Sequence, residues 1–323
     1  MTEPAPRVRR LAPDLWLLDT LFQDTPGVIA SYLLTGPDGL ALVDVGSAVT
    51  AERLLAAIRA TGHQPEAVEH ILLTHIHLDH AGATGVLLQH MPRARVYVHS
   101  IGAPHLIHPE KLIESASRIY GDQMGRLWGT MLPVPEERIS LLEDGVETRV
   151  GERTLTALYT PGHAIHHVAF HDPGRAAMFT GDVAGVRLED IDYVRPPTPP
   201  PDLNLEDWSA SIERLRALRP ETLYLPHFGP VEGTERHFAE LRERLYAWGE
   251  IVAGGMRRGE DDQQLAHDLA VASDPDVARG AAGAGAEVGV QAVRRYELAT
   301  NYLMSAQGYM RYYKKIHPEA LAN

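Results

Sequence analysis

The sequence predicts a layered body of strands and helices, α/β or α+β, rather than a helical bundle. Three observations carry that expectation. Short apolar runs alternate with helix-period segments, turn-forming residues punctuate the runs, and 323 residues with 44% hydrophobic and 23% charged side chains match ordinary globular usage. In order along the chain, Val28–Leu34 and Leu40–Val45 flank the turn residues Gly36-Pro-Asp-Gly39 and read as strand, turn and strand. Ala51–Thr61 then sets Leu54, Leu55 and Ile58 at helical spacing. Val96–Val98, Thr154–Tyr159 and Ala164–Phe170 are further strand-like runs; the last passes through His171-Asp-Pro-Gly174 into Ala176–Thr180. Residues 101–137 read as a long, mostly helical insertion with Ile119, Tyr120, Met124, Leu127, Trp128 and Met131 as its apolar content. Residues 194–203 are too proline-rich for a helix or a central strand. Beyond about residue 234 the chain turns helical. There Gly280–Gly289 reads as a flexible break and Gln291–Lys315 as one long aromatic-rich helix. The expected domains are therefore a mixed strand-and-helix body over 1–232 and a helical region over 233–323.

Charge and composition exclude several functions. Thirty basic against 43 acidic residues give a net charge of −13, which repels phosphate backbones, so nucleic-acid partners are not expected. The chain has no cysteine, which removes disulfides and thiolate metal ligands. No run approaches the ~18 apolar residues of a membrane span, and membrane partners are not expected. Met1–Leu18 lacks the apolar core of a signal peptide, so a cytoplasmic location is expected. With 17 histidines and no sulfur to share metal duty, the search turns to His/Asp sites.

One pattern recurs four times: a strand-like run ends and a metal-capable side chain follows. His70-Ile-Leu-Leu-Thr74 leads to His75, His77, Asp79 and His80; Leu158-Tyr-Thr-Pro-Gly to His163; Met178-Phe-Thr-Gly to Asp182; and Leu223-Tyr-Leu-Pro to His227. Four adjacent strands ending on one sheet edge would gather these side chains within reach of metal ions. Residues i and i+2 of an extended turn share a side, so His75 and His77 can serve one ion while Asp79 and His80 reach a second. Seven nitrogen and oxygen donors suit a dinuclear hydrolytic centre of zinc, iron or manganese.

The run His75-x-His77-x-Asp79-His80, followed in order by Thr-Pro-Gly-His163, Thr-Gly-Asp182 and Pro-His227, resembles the metallo-β-lactamase superfamily. Within it, the dinuclear hydrolases such as glyoxalase II and the N-acyl-homoserine lactone lactonases are most similar. Asp44 and Gly46 match a position that supports the site without binding metal. The resemblance covers about residues 14–232 and implies an αββα sandwich with metals at its edge. It implies that His75, His77 and His163 hold one divalent ion, zinc first among the candidates, and that Asp79, His80 and His227 hold the other. Asp182 would bridge them. Drug-hydrolysing members carry a cysteine where Asp182 sits, and flavodiiron proteins have a glutamate in place of His77, so neither activity is expected.

The resemblance further implies attack by a metal-bridging hydroxide on a lactone, thioester or ester, with Asp79 ligating and orienting it. Tyr193, 11 residues past Asp182, is the candidate general acid, because lactonases of this fold use a tyrosine in a comparable region. An iron-dependent persulfide dioxygenase is the alternative; an RNA-processing nuclease is disfavoured by charge, and a non-catalytic module would have lost ligands. Other residues have blander readings. His167 is expected to support the ligands, His166 and His171 to pack or face solvent, and His105 and His108 to end solvated helices. Tyr120, Met124, Trp128 and Met131 read as packing, with an acyl-pocket wall as the second reading. Arg195 reads as a solvated charge. Tyr296, Tyr302, Tyr309, Tyr312 and Tyr313 read as core or as a homodimer contact. The expected partner is a small-molecule substrate.

Overall fold

The computed structural model describes residues 5–37, 39–281 and 286–322. The chain forms two compact units, one of Met1–Tyr159 and His166–Gly181, the other of Thr160–Ile165 and Asp182–Asn323.

In the first unit a seven-stranded sheet takes its strands in sequence order: β1 (Arg7–Ala12), β2 (Leu15–Asp19), β3 (Ala30–Gly36), β4 (Gly39–Val43), β5 (Val68–Leu72), β6 (Arg95–His99) and β7 (Ile139–Leu142). Pairing is antiparallel from β1 to β4 and parallel from β4 to β7. Parallel neighbours need long crossovers, and the helices supply them. These are α1 (Ala51–Ala60) after β4, α2 (Leu78–Ala81) and α3 (Thr84–Leu88) after β5, and α4 (Ala103–Ile107), α5 (Glu110–Tyr120) and α6 (Met124–Leu127) after β6. The last three are the expected helical insertion. Helix α1 buries Leu54, Leu55 and Ile58, the residues whose spacing predicts it.

A second, antiparallel set follows: β8 (Glu147–Val150), β9 (Arg153–Tyr159), β10 (Val168–Asp172) and β11 (Ala177–Phe179). The two sets face each other across a dry core. Tyr32 of β3 meets Phe179 edge-on with ring centroids 5.3 Å apart. At one corner the approach is so close that a Cβ on Gly36 would stand 3.0 Å from the Gly151 Cα. The fold class is thus the expected α+β sandwich.

The second unit holds the hairpin β12 (Thr222–Leu225) and β13 (Gly229–Val231) with helices α7 (Leu205–Ala217), α8 (Thr234–Arg258), α9 (Asp262–Gly280), α10 (Ala286–Ala299) and α11 (Tyr302–Lys315). Helix α9 packs on α8, α10 and α11. A capping box of Asp261 and Gln264 starts α9, and the Asn204 side chain caps α7. The tyrosines of the aromatic stripe are buried among these helices. No helix among the described residues is long and apolar enough to cross a membrane.

Four expectations need correction. The single helix over Gln291–Lys315 is two, because extended Asn301 caps the new helix through Met304 N and breaks the run. The strand expected from Ala164 begins only at Val168, since Pro161 and Gly162 give their carbonyls to Ser211 Oγ and Asn204 N instead of to a ladder. The four strands leading to the ligands are not adjacent: β5 belongs to the seven-stranded sheet, and β10 separates β9 from β11. Arg195 is wholly buried, not solvated. Residues 282–285 of the expected Gly280–Gly289 break and Asp38 of the Gly36–Gly39 turn lie outside the described residues.

Candidate metal-binding residues

Each unit carries its own cluster of metal-capable side chains. In the first unit they sit where β5 ends and α2 begins. Asp44, directly after β4, has φ 51°, a left-handed conformation rare outside glycine and asparagine-like residues. That strain turns its carboxylate back across the loop. Its Oδ1 accepts from Thr74 N (2.8 Å), while Oδ2 accepts from the Thr74 hydroxyl (2.8 Å) and from His80 Nδ1 (2.9 Å). One carboxylate therefore fixes both flanks of the 75–80 segment.

These bonds decide which imidazole nitrogens remain available. With Nδ1–H of His80 donated to Asp44, its Nε2 keeps a lone pair and stands 3.5 Å from Asp79 Oδ2. Thr74 Oγ1, 3.0 Å from His75 Nδ1, plays the same part for His75. His75 Nε2 faces His77 Nδ1 at 3.0 Å. Two ring nitrogens at that separation repel unless a proton or cation shares their lone pairs, so the donor set fits a metal ion.

His167, which is fully buried, stacks obliquely on His75 with centroids 5.0 Å apart, in keeping with a supporting part. Gly181 is required here: at φ 53°, a Cβ would lie 2.4 Å from His167 Nε2. His166 reads from sequence only as a packing or surface residue. In the structure it is buried, parallel to His75 at 6.1 Å and edge-on to His77 at 5.6 Å. Two histidines directly before a strand are the available signal, since alternating side chains put one on each face.

In the second unit Asp182 is the hub. Its Oδ2 lies 3.4 Å from His163 Nε2 and its Oδ1 3.6 Å from His227 Nε2, all three side chains being buried. A carboxylate with an imidazole on each oxygen is the arrangement of a bridging ligand. His163 gives Nδ1–H to the Pro197 carbonyl (2.8 Å), which puts its lone pair on Nε2. The proline-rich loop thereby gains a use: it carries a carbonyl that orients His163. Trp208 of α7 closes the back of the cluster, donating to Val183 O (2.8 Å) and meeting the His163 ring edge-on. The His227 loop is tied down by Arg187 N donating to His227 O (2.7 Å). His237, wholly buried on α8, donates to Ala184 O (2.7 Å); burial lowers its pKa to about 4.

Tyr193 is buried in the second unit. Its ring is edge-on to Tyr296 of α10 at 5.6 Å, and the Arg244 guanidinium of α8 lies 4.4 Å from its centroid. Nothing in that packing supports a general-acid role. Arg195 is likewise enclosed by aromatic rings, 4.1 Å from the Tyr302 centroid and 4.8 Å from that of Tyr296, with Glu297 as its ion pair at 2.8 Å. Burial, and then the neighbouring Asp79 carboxylate, raise the pKa of Tyr120 well above the ordinary tyrosine range, which keeps it a neutral donor.

Fold and ligand clusters together define a class, and the comparisons agree. Residues 24–227 match the metallo-beta-lactamase superfamily model, and the chain belongs to that superfamily as a metallohydrolase of its fold. An archaeal relative, the metallo-beta-lactamase fold-containing protein ST1585 of Sulfurisphaera tokodaii, is 31% identical over 58% of this chain and 72% of its own length. The acyl-coenzyme A thioesterase MBLAC2 of Gallus gallus is 29% identical over 56% of this chain, the match spanning 61% of the relative. A hydroxyacylglutathione hydrolase of Aeromonas salmonicida is 30% identical over 35% of this chain, and the match spans 32% of that enzyme. Among solved structures, the metallo-beta-lactamase family protein TTHA1429 of Thermus thermophilus superposes with a TM-score of 0.68 at 23% identity, covering 95% of both chains.

Proposed function

We propose that His75, His77, Asp79, His80, His163, Asp182 and His227 jointly hold two divalent metal ions, zinc first, and that the protein hydrolyses a small lactone, thioester or ester. The observation that carries this reading is Asp182 with an imidazole on each carboxylate oxygen, a sulfur-free hub suited to two borderline cations. Relatives named as an acyl-coenzyme A thioesterase and a hydroxyacylglutathione hydrolase support acyl-group chemistry. Bound cations would bring the pKa of water toward ~7 and polarise the scissile carbonyl.

The protein's own residues do the rest. Asp44 and Thr74 hold the His75 and His80 rings in their ligating tautomers, and the Pro197 carbonyl does so for His163. The Asp79 carboxylate orients the attacking water and accepts its proton. The water oxygen bonds to the acyl carbon, the bond from that carbon to the leaving oxygen or sulfur breaks, the proton held by Asp79 passes to the leaving atom, and one carboxylic acid is released per turnover.

Acid release in weak buffer tests this directly. The protein is reconstituted separately with zinc, manganese and iron and offered acyl lactones of graded length, a glutathione thioester and an aryl ester, with His80→Ala as control. Metal-dependent release that collapses in the variant is the expected result. Silence toward every substrate, with oxygen uptake on a persulfide, would replace this reading with the one-iron oxygenase.

A further inference from the structure

The proline-rich loop has almost no means of holding itself in place. From Pro196 to Pro201 every residue but Thr198 is proline, so only Thr198 has a backbone N–H to donate. Yet this stretch carries the Pro197 carbonyl that accepts from His163 Nδ1 at 2.8 Å. Whatever fixes that carbonyl must come from outside the loop.

Arg195 is the first anchor. Its backbone exchanges two hydrogen bonds of 2.8 Å with Val186, and its wholly buried guanidinium reaches into the C-terminal helices. Nη1 donates to Glu297 of α10 (2.8 Å) and to Thr300 O (3.1 Å). Nη2 donates to the Tyr302 hydroxyl of α11 (2.5 Å), which donates in turn to Asp274 of α9 (2.6 Å). The rings of Tyr302, Tyr296 and Trp248 enclose the cation. Helix α11 is the second anchor. Arg311 Nε donates to Pro201 O (3.0 Å), and a Cβ on Gly308 would stand 1.9 Å from Thr198 O, the carbonyl next after that of Pro197. At its far end the loop returns to the histidine, Asn204 N donating to Gly162 O (2.9 Å).

Burying a guanidinium is expensive, and an apolar side chain among these rings would often be as stable or more so. A planar fork with several directed bonds fixes a position, which apolar contact does not.

We propose that Arg195 is a positioning residue: by tying the proline-rich loop to α9, α10 and α11, it places the Pro197 carbonyl that keeps the His163 proton on Nδ1 and the lone pair on Nε2. The C-terminal helices thereby control whether His163 is ready to bind metal. This rests on the reading of His163 as a ligand, and it goes further in assigning a task to the helical region and to its buried cation.

The test uses the full-length double variant Arg195→Met/Glu297→Gln, which removes both charges and leaves an apolar chain among the rings. Nitrogen-15 NMR of the metal-free protein at mildly alkaline pH, where the rings are neutral, reads the imidazole proton directly. Wild-type His163 carries it on Nδ1. In the variant His163 becomes a mixture of both tautomers, whereas His80, held by Asp44, stays as it was. Zinc affinity, read by competition with a chromophoric chelator, falls about tenfold, and the Tm does not fall with it. A residue that merely packs would give the reverse, a lower Tm with the tautomer and the zinc affinity unchanged, and that result would overturn the proposal. Tyr302→Phe keeps the ring and deletes one acceptor of the fork. It must move the His163 signal the same way by a smaller amount, and it decides the matter if the double variant does not fold. Wild-type protein that binds zinc yet hydrolyses no lactone, thioester or ester would sink the hydrolase reading alone. Wild-type His163 protonated on Nε2 would sink the positioning role alone.

Discussion

The two ligand clusters are built by opposite means. The cluster of the first unit is contiguous: four side chains within six residues, oriented by Asp44 and Thr74. The cluster of the second unit draws His163, Asp182 and His227 from segments 19 and 45 residues apart. Each is held by different neighbours, namely the Pro197 carbonyl, the α7 tryptophan and the Arg187 backbone. A local motif thus depends on one strained aspartate, while a dispersed one depends on tertiary packing. Damage should spread differently through the two.

The sharpest way to break the comparison is Asp182→Ala. It removes the carboxylate whose two oxygens lie against His163 and His227, so loss of metal and of hydrolysis by roughly a hundredfold or more is expected, exceeding the typical cost of a supporting residue. Metal content by atomic emission, measured beside the initial rate, checks it; full retention of two ions per chain would contradict the hub. Asp44→Ala should come next. It leaves Thr74 N, the Thr74 hydroxyl and His80 Nδ1 without their acceptor, weakening metal binding by about 10–100-fold. Competition with a chromophoric chelator reads that change.

The third experiment uses pH. His237 is held neutral in the folded protein, with its pKa lowered from 6.5 to about 4 mainly by burial. Its contribution is therefore complete above pH 6.5 and is lost as pH falls toward 4, at up to about 1.4 kcal/mol per unit. Urea unfolding between pH 7 and 4 should show this slope in the wild type and a flatter one in His237→Gln. The smallest effect belongs to Ser211→Ala. Losing its bond to the Pro161 carbonyl (2.7 Å) should cost about 1 kcal/mol, visible as a Tm lowered by ~2 °C, and should loosen the His163 segment without touching the first cluster.

The same contrast explains what could be read from sequence. The 75–80 cluster was legible because its spacing alone dictates its geometry, and α1 because its apolar residues recur with the helical period. Asp182 and the two distant histidines were legible only as a pattern of strand ends, and the sheet order behind them differs from the simplest reading. β1 and β2 gave no turn signal strong enough to separate them from an irregular N-terminal segment. The helix break at Asn301 hides in a run whose composition stays helical, since one cap is enough to interrupt it. The enclosure of Arg195 could not be foreseen, because guanidinium burial depends on aromatic residues about 50 to 110 positions away.

Asp182 carries one more consequence. Its carboxylate occupies a place where a thiolate would be open to peroxide, disulfide exchange and soft heavy metals. With oxygen and nitrogen donors throughout and no cysteine anywhere in the chain, these clusters offer nothing for thiol oxidants to modify.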